Sequence, residues 1–270
     1  MIHELFGVKV DDLSFADLQA LFQSWIQSDS GHIIVTPNAE FLLIARKDSD
    51  FKRLLNKSDL ALADSVSLRY AVAALTPRNL LYRYPGVDVL DYLCHLSQKE
   101  NVRTLFVGGN PGAALGAAVK MRERFPDLDV QAIDPGIIPL REKDVLVPQE
   151  FIEQINVLKP TIVAVGLGQV KQERFMFQLK ELCPSVRIWI GVGGAFEMIS
   201  SQKPRAPKYV SQVGFEWLWR LFIEPKRWRR IMNAVVVFPS LVVYSTLRSG
   251  TFIQAFLRVF SEIWKQIRQV

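Results

Sequence analysis

Cysteine and histidine are scarce in this chain of 270 residues, which has two of the first and three of the second. Cys94 and Cys183 lie in stretches that read as helices and form no paired framework, which argues against a disulfide-stapled secreted scaffold and for free thiols in a reducing compartment. His3, His32 and His95 are scattered, and Cys94 beside His95 cannot offer one ion two ligands at a usual spacing, so no catalytic metal is expected. The N-terminal string MIHELFGVKVDDL lacks both the basic start and the continuous apolar run of a signal peptide. Phosphate-loop signatures are missing as well. No Gly-Lys-Ser/Thr ending occurs, and Lys171 stands where Gly166 and Gly168 would need a third glycine for a dinucleotide fingerprint. With no Gly-x-Ser-x-Gly elbow either, nothing supports an ATPase, a dinucleotide oxidoreductase or a serine hydrolase. There is no internal repeat or low-complexity linker, and 49% hydrophobic with 22% charged residues is globular rather than disordered.

Net charge is absent from the first 214 residues, where 24 cations meet 24 carboxylates. The whole formal +6 sits in residues 215–270, where nine Lys and Arg face Glu216, Glu224 and Glu262, and that stretch also holds four of the six tryptophans. A neutral body with a basic, tryptophan-rich tail suits a negatively charged surface, either phospholipid headgroups or nucleic acid. Residues 231–247 form a charge-free run of 17 between Arg230 and Arg248. The run is slightly short for a membrane span and carries Asn233, Pro239 and Ser240, so an interfacial or re-entrant element is expected. Plotted at 100° per residue, Phe252, Ile253, Phe256, Val259, Phe260, Ile263, Trp264 and Ile267 fall in an arc of about 140°. Gln254, Arg258, Glu262, Lys265 and Arg268 lie on the other side. Such a helix either packs on its own domain or lies on a membrane; its aromatic anchors, Arg/Lys bias and terminal position favour the membrane, and both readings stay open.

Between Leu5 and Gly194, short β-branched runs alternate with amphipathic helical stretches, the pattern of an α/β fold on a mostly parallel sheet flanked by helices. Strands are expected at residues 32–36, 60–64, 104–109, 129–134, 161–168 and 187–194. Beyond Arg205 the pattern turns helical, which divides the chain into an α/β domain at 1–205 and a helical, membrane-associating appendage at 206–270. Strand ends matter because ligands of open α/β sheets bind at the carboxyl edge. Three ends are glycine-bearing: Gly108-Gly109-Asn110-Pro111-Gly112, Gly166-Leu167-Gly168 and Gly191-Val192-Gly193-Gly194. Glycine there lets backbone N–H groups approach a phosphate, and three such loops in one α/β chain point to a nucleotide or phosphorylated ligand. Asp64 ends the strand LALAD, with Thr36 and Asn38 at the corresponding end of HIIV. A carboxylate so placed can take a proton from an attacking hydroxyl, although helix capping is the commoner use of Asp and Thr at such points. Asp48-Ser-Asp50 and Asp127-Leu-Asp129 imitate a metal-binding aspartate pair, but a cap and a turn are the expected roles.

The chain carries T-P-N-A-E at 36–40, A-D at 63–64, R-Y-P-G-V-D at 83–88 and F-V-G-G-N-P-G at 106–112. V-G-L-G-Q-V-K-Q-E at 165–173, G-V-G-G-A-F-E at 191–197, R-A-P at 205–207 and G-F-E-W-L-W-R-L-F-I-E-P-K-R-W-R-R at 214–230 follow. In order and spacing these strings resemble the WecG/TagA/CpsF glycosyltransferases, glycosyltransferase family 26, over roughly residues 5–232. The resemblance implies a bacterial enzyme with a Rossmann-like fold, working without metal or cofactor at the cytoplasmic face of the plasma membrane. It would move an N-acetylmannosamine-type sugar from a UDP donor to an undecaprenyl-diphosphate-linked sugar, with inversion. It further implies Asp64 as the base with Thr36 beside it, and Asn38, Arg83, Gly108, Gly109, Gly168, Lys171, Gln172 and Glu173 around the substrates. Gly193, Gly194, Phe196 and Glu197 would lie near the nucleotide, with Arg220, Arg227 and Arg230 on the lipid diphosphate. Three positions depart from the family pattern: Ser65 stands in place of glycine, Val170 in place of proline and Glu197 in place of aspartate.

Two other readings are weighed. In a nucleic-acid-binding protein the tail would track phosphates while its tryptophans stack on bases. The runs AVVVF and LVVY offer nothing to a polyanion, so no nucleic-acid partner is expected. A membrane-bound scaffold, altered at Ser65 and Glu197, would bind UDP-sugar without turnover. The oligomeric state is left open, a homo-oligomer included.

Overall fold

The computed structural model describes residues 1–141, 144–204, 207, 210 and 216–268, the side chains of Glu216, Trp217, Arg220, Lys226 and Ile267 excepted. The expected domain boundary at 205/206 and most of the R-A-P string fall outside the described residues. The chain opens with a hairpin of β1 (Ile2–Leu5) and β2 (Val8–Asp11), outside the strands expected from the sequence. Helix α1 (Phe15–Ile26) follows, its N-terminus capped by Ser14, whose hydroxyl accepts from Asp17 N–H. Next come β3 (His32–Val35), α2 (Ala39–Lys47), α3 (Ser49–Lys57), β4 (Leu60–Ala61), α4 (Val66–Leu75) and α5 (Gly86–Lys99). The middle of the chain holds β5 (Thr104–Gly108), α6 (Ala113–Arg124), β6 (Val130–Ile133), the small hairpin β7 (Leu140–Arg141) and β8 (Asp144–Val145), and α7 (Gln149–Leu158). After β9 (Ile162–Gly166), α8 (Lys171–Leu179), β10 (Ile188–Gly191) and α9 (Ala195–Ile199), the chain becomes helical: α10 (Glu216–Ile223), α11 (Trp228–Arg248) and α12 (Phe252–Arg268).

Six strands form one parallel sheet in the order β4-β3-β10-β9-β5-β6. Its central strands are buried on both faces and read as continuous apolar runs. Alternate side chains divide between two cores. Ile33, Val35, Leu105, Val107, Val163, Val165 and Trp189 pack with α2, α3, α4, α7 and α8. Ile34, Phe106, Ala164 and Ile190 pack with α1, α5, α6 and α9. Strand β4 is shorter than the expected 60–64, because beyond Ala61 the chain keeps an isolated bridge from Leu62 to Asp11 and single bonds from Leu62 N–H to the Val35 carbonyl and from Asp64 N–H to the Pro37 carbonyl, and then bends into the site.

The expected interfacial or re-entrant element is a continuous helix. Pro239 has no N–H to donate, and the turn before it, Asn233–Val237, widens to a π-helix that absorbs the defect without breaking α11. Both α11 and α12 pack on α4, and Phe238, Val242 and Ala255 join the core on that side. Helix α12 turns its amphipathic character outward. Its docking face is mixed: Ala255 and Val259 pack on the core, while Tyr70 Oη donates to Gln266 Oε1 at 2.7 Å, Arg258 Nη2 to the Ala74 carbonyl at 3.2 Å, and buried Glu262 faces Arg69 at 3.9 Å. Phe252, Ile253, Phe256, Leu257, Phe260, Ile263 and Trp264 are exposed.

Candidate active site

The carboxyl ends of β3, β10, β9 and β5 open into a cleft of about 640 Å³. One wall is the sheet edge with its loops; the other is Arg227 and the start of α11, through Arg230, Ile231, Ala234 and Val235. Thr36, Asn38, Asp64, Arg83, Gly109, Gly168, Lys171, Gln172, Gly193, Gly194, Glu197, Arg227 and Arg230 all line it.

Asp64 follows the short β4 and is half-buried. It does not cap α4, whose N-cap is Ser65. Its Oδ1 accepts the Gly86 N–H at 3.1 Å, and its backbone carbonyl accepts Arg83 Nη1 at 3.0 Å, so the segment from Arg83 to Gly86 fixes both ends of the residue. Thr36 is not a cap either. Its buried Oγ1 donates to the Gly191 carbonyl at 3.1 Å, which leaves the oxygen lone pairs as acceptors. Gly86 lies beside Thr36, where an added Cβ would come 3.6 Å from Thr36 Oγ1, so Thr36, Gly86 and Asp64 form one cluster. Asn38 does cap: its Oδ1 accepts from Glu40 N–H and Phe41 N–H at 3.0 and 3.2 Å. Asp48 caps α3 in the same way, as expected.

The three glycine loops meet on this edge. Gly168 and Gly193 have φ of +81° and +52° with nothing within 4 Å of an added Cβ, so the left-handed backbone faces open cleft at both. Gly108, Phe196 and Glu173 lie beneath the wall rather than on it. Phe196 stacks on Phe106 at 4.9 Å and fills the space where Gly166 would carry a Cβ, 2.7 Å from its ring. Glu173 is fully buried: Oε2 accepts the Val170 N–H and Oε1 accepts Gln172 Nε2, both at 2.6 Å, while Gln172 Oε1 accepts the Gly193 N–H at 3.0 Å. Burial raises the Glu173 carboxyl to about 7, and the hydrogen bonds from Gln172 and Val170 oppose that rise. Val170 has φ +72°, strained for a β-branched residue. A proline there could neither adopt that angle nor supply the N–H that Glu173 accepts.

Glu197 Oε1 accepts the Asn110 N–H at 3.0 Å, and its Oε2 is buried with no hydrogen-bond partner among the described residues. On the opposite wall, Arg230 makes a two-pronged ion pair with Glu40, Nε at 2.9 Å from both oxygens and Nη2 at 2.8 Å from Oε2. Arg227 pairs with Glu224 at 3.2 Å. The side chain of Arg220 lies outside the described residues. Sequence reasoning missed Glu40 and Gly86, although both lie within strings quoted above, T-P-N-A-E and R-Y-P-G-V-D.

A parallel sheet whose carboxyl edge gathers open glycine loops, a fixed carboxylate and facing arginines belongs to the class of α/β proteins built to hold a phosphorylated ligand. Residues 3–251 match the model of the glycosyl transferase WecG/TagA/CpsF family, and the chain belongs to that family. It is a glycosyltransferase. Its relatives include the N-acetylglucosaminyldiphosphoundecaprenol N-acetyl-beta-D-mannosaminyltransferase of Bacillus subtilis (strain 168), 29% identical over 232 residues, 86% of each chain. A protein of the same name from Bacillus spizizenii (strain ATCC 23059 / NRRL B-14472 / W23) is 26% identical over 230 residues, 83% of this chain and 86% of its own.

Proposed function

We propose that this chain transfers an N-acetylmannosamine-type sugar from its UDP conjugate to a sugar carried on undecaprenyl diphosphate, inverting the anomeric centre. The observation that carries the reading is the Thr36–Gly86–Asp64 cluster at the foot of a cleft with glycine loops on one wall and arginines on the other. The acceptor hydroxyl attacks the anomeric carbon; its proton passes to the Asp64 carboxylate as the new glycosidic bond forms. The bond from that carbon to the β-phosphate oxygen breaks, and UDP leaves with the electron pair. The charge gathering on UDP is met by Lys171 and by the backbone N–H groups of Gly168 and Gly194, those of Gly109, Asn110 and Gly193 being taken by Gly166, Glu197 and Gln172, with no metal required. Thr36 accepts from a sugar hydroxyl, and the unpartnered Oε2 of Glu197 accepts from a hydroxyl of the donor. Arg227 and Arg230 hold the diphosphate of the lipid.

A lipid acceptor requires a membrane, and residues 206–270 supply the contact. The outward apolar face of α12 favours this over packing on its own domain, because the helix docks through Ala255, Arg258, Val259, Glu262 and Gln266 and leaves its large aromatic and aliphatic side chains exposed. Trp228 is exposed on the same tail with the Arg229 guanidinium over its ring, the pairing of aromatic and cation suited to an anionic interface. The protein therefore acts as a peripheral enzyme on the cytoplasmic face of the plasma membrane, in cell-surface polysaccharide synthesis. The test is incubation with a panel of UDP-sugars and a short-chain polyprenyl-diphosphate-N-acetylglucosamine. A mass increment of one N-acetylhexosamine on the lipid is expected; UDP-sugar binding without any increment would favour the scaffold reading.

A further inference from the structure

Asp64 is fixed by a segment that has no regular structure of its own. Residues 79–85 form neither helix nor strand, yet they deliver Arg83 to the Asp64 carbonyl and lead directly to the Gly86 N–H on its carboxylate. Beside the site the Tyr84 N–H donates to the Ala63 carbonyl at 2.9 Å, and the other contacts that hold the segment are remote from the cleft. Asp12, just past β2, is buried, and its carboxylate accepts the Leu81 N–H at 3.0 Å on Oδ2 and the Tyr82 N–H at 2.9 Å on Oδ1. Buried His3, from the first strand of the hairpin, lies 3.3 Å from the same Oδ2. From the other side Arg69 donates to the Leu80 and Leu81 carbonyls at 3.0 and 2.9 Å. The hairpin is in turn fastened to the sheet, because Asp11 Oδ2 accepts the Ala61 N–H at 2.8 Å.

A buried carboxylate is costly unless its oxygens are occupied, and here two adjacent backbone N–H groups and an imidazole occupy them. That arrangement leaves the chain at Leu81 and Tyr82 one geometry, and Arg83 is the next residue. We propose that Asp12 is a positioning residue for sugar transfer: by pinning Leu81 and Tyr82 it sets Arg83 and Gly86 against Asp64. It touches neither substrate. The proposal rests on Asp64 being the base, as read above.

The experiment compares Asp12→Ala, Asp12→Asn, Arg83→Ala, Asp64→Asn and the Asp12→Ala/Arg83→Ala pair in the full chain. Rates and KM values for donor and lipid acceptor are measured, with thermal unfolding and UDP affinity alongside. Asp12→Ala should lower kcat by about 10- to 100-fold, since small displacements at a reacting centre cost that much, with the donor KM nearly unchanged. Asp12→Asn keeps one acceptor oxygen and should recover part of the loss; it also serves if the alanine variant does not fold. Pairing with Arg83→Ala should add little, because both changes act through one segment. Full kcat in folded Asp12 variants, or losses that multiply in the pair, overturns the proposal. Activity in Asp64→Asn removes the base assignment instead, a result distinguishable from either because it leaves the dependence of Arg83 on Asp12 to be judged by the pair.

Discussion

Replacing Glu173 by glutamine should remove a component of stability that falls as pH rises. The carboxyl is completely buried, and burial raises it from 4.5 in the unfolded chain to about 7 in the native state. Between those values the native protein holds a proton that the unfolded chain has released, so stability declines with rising pH across that window. The contribution is fully present below about pH 4.5 and gone above about pH 7, and it amounts to on the order of 3 kcal/mol. Glutamine has nothing to titrate. It pays a pH-independent penalty instead, because its amide NH₂ must face either the Val170 N–H or Gln172 Nε2, both of them donors, at about 1–3 kcal/mol. Urea unfolding followed by tryptophan fluorescence from pH 4.5 to 8 should show the variant less stable at the acid end and the gap closing or reversing towards pH 8. Other titrating groups cancel in the difference between the two proteins. Parallel stability curves, or a gap that widens with pH, would refute the linkage.

Arg227→Ala and Arg230→Ala should raise the KM for the lipid acceptor more than they weaken vesicle binding; equal losses would make these residues a membrane anchor alone. Glu40→Gln breaks a half-exposed ion pair and should change acceptor KM by about fivefold at most, without altering UDP affinity. Turnover should survive EDTA, and arrest by the chelator with rescue by Mg²⁺ or Mn²⁺ would contradict a diphosphate held by protein groups. Phe256→Ser with Phe260→Ser removes two half-exposed rings from the outer face of α12, and vesicle binding should weaken by about 10- to 100-fold with little dependence on salt. Unchanged sedimentation with anionic vesicles would mean that this face meets something else.

The sheet was legible because strands buried on both sides leave uninterrupted apolar runs such as TLFVG and IVAVG. The first hairpin was not, since its inward positions include His3, a polar residue that breaks the apparent alternation and becomes readable only with its buried partner Asp12 in view. The site was legible in part. Strand ends on neighbouring parallel strands converge on one edge, which brings Thr36, Asp64 and the glycine loops together. Periodicity located α12 and its two faces but could not tell which of them docks, because that depends on Tyr70, Arg69 and the Ala74 carbonyl of α4, nearly two hundred residues away in the chain. Support residues were the least visible: Glu40, Gly86 and Asp12 matter through particular hydrogen bonds that no local pattern announces.

Asp64→Asn tests the account most directly. The variant keeps the size of the side chain and its acceptor for the Gly86 N–H, but it cannot take the acceptor proton. Sugar transfer to the polyprenyl acceptor should fall by about 10²- to 10⁴-fold while calorimetry finds UDP bound nearly as in the parent protein. Retention of more than about a tenth of the parent turnover, on a scale where loss of a general base costs at least a hundredfold, would contradict it.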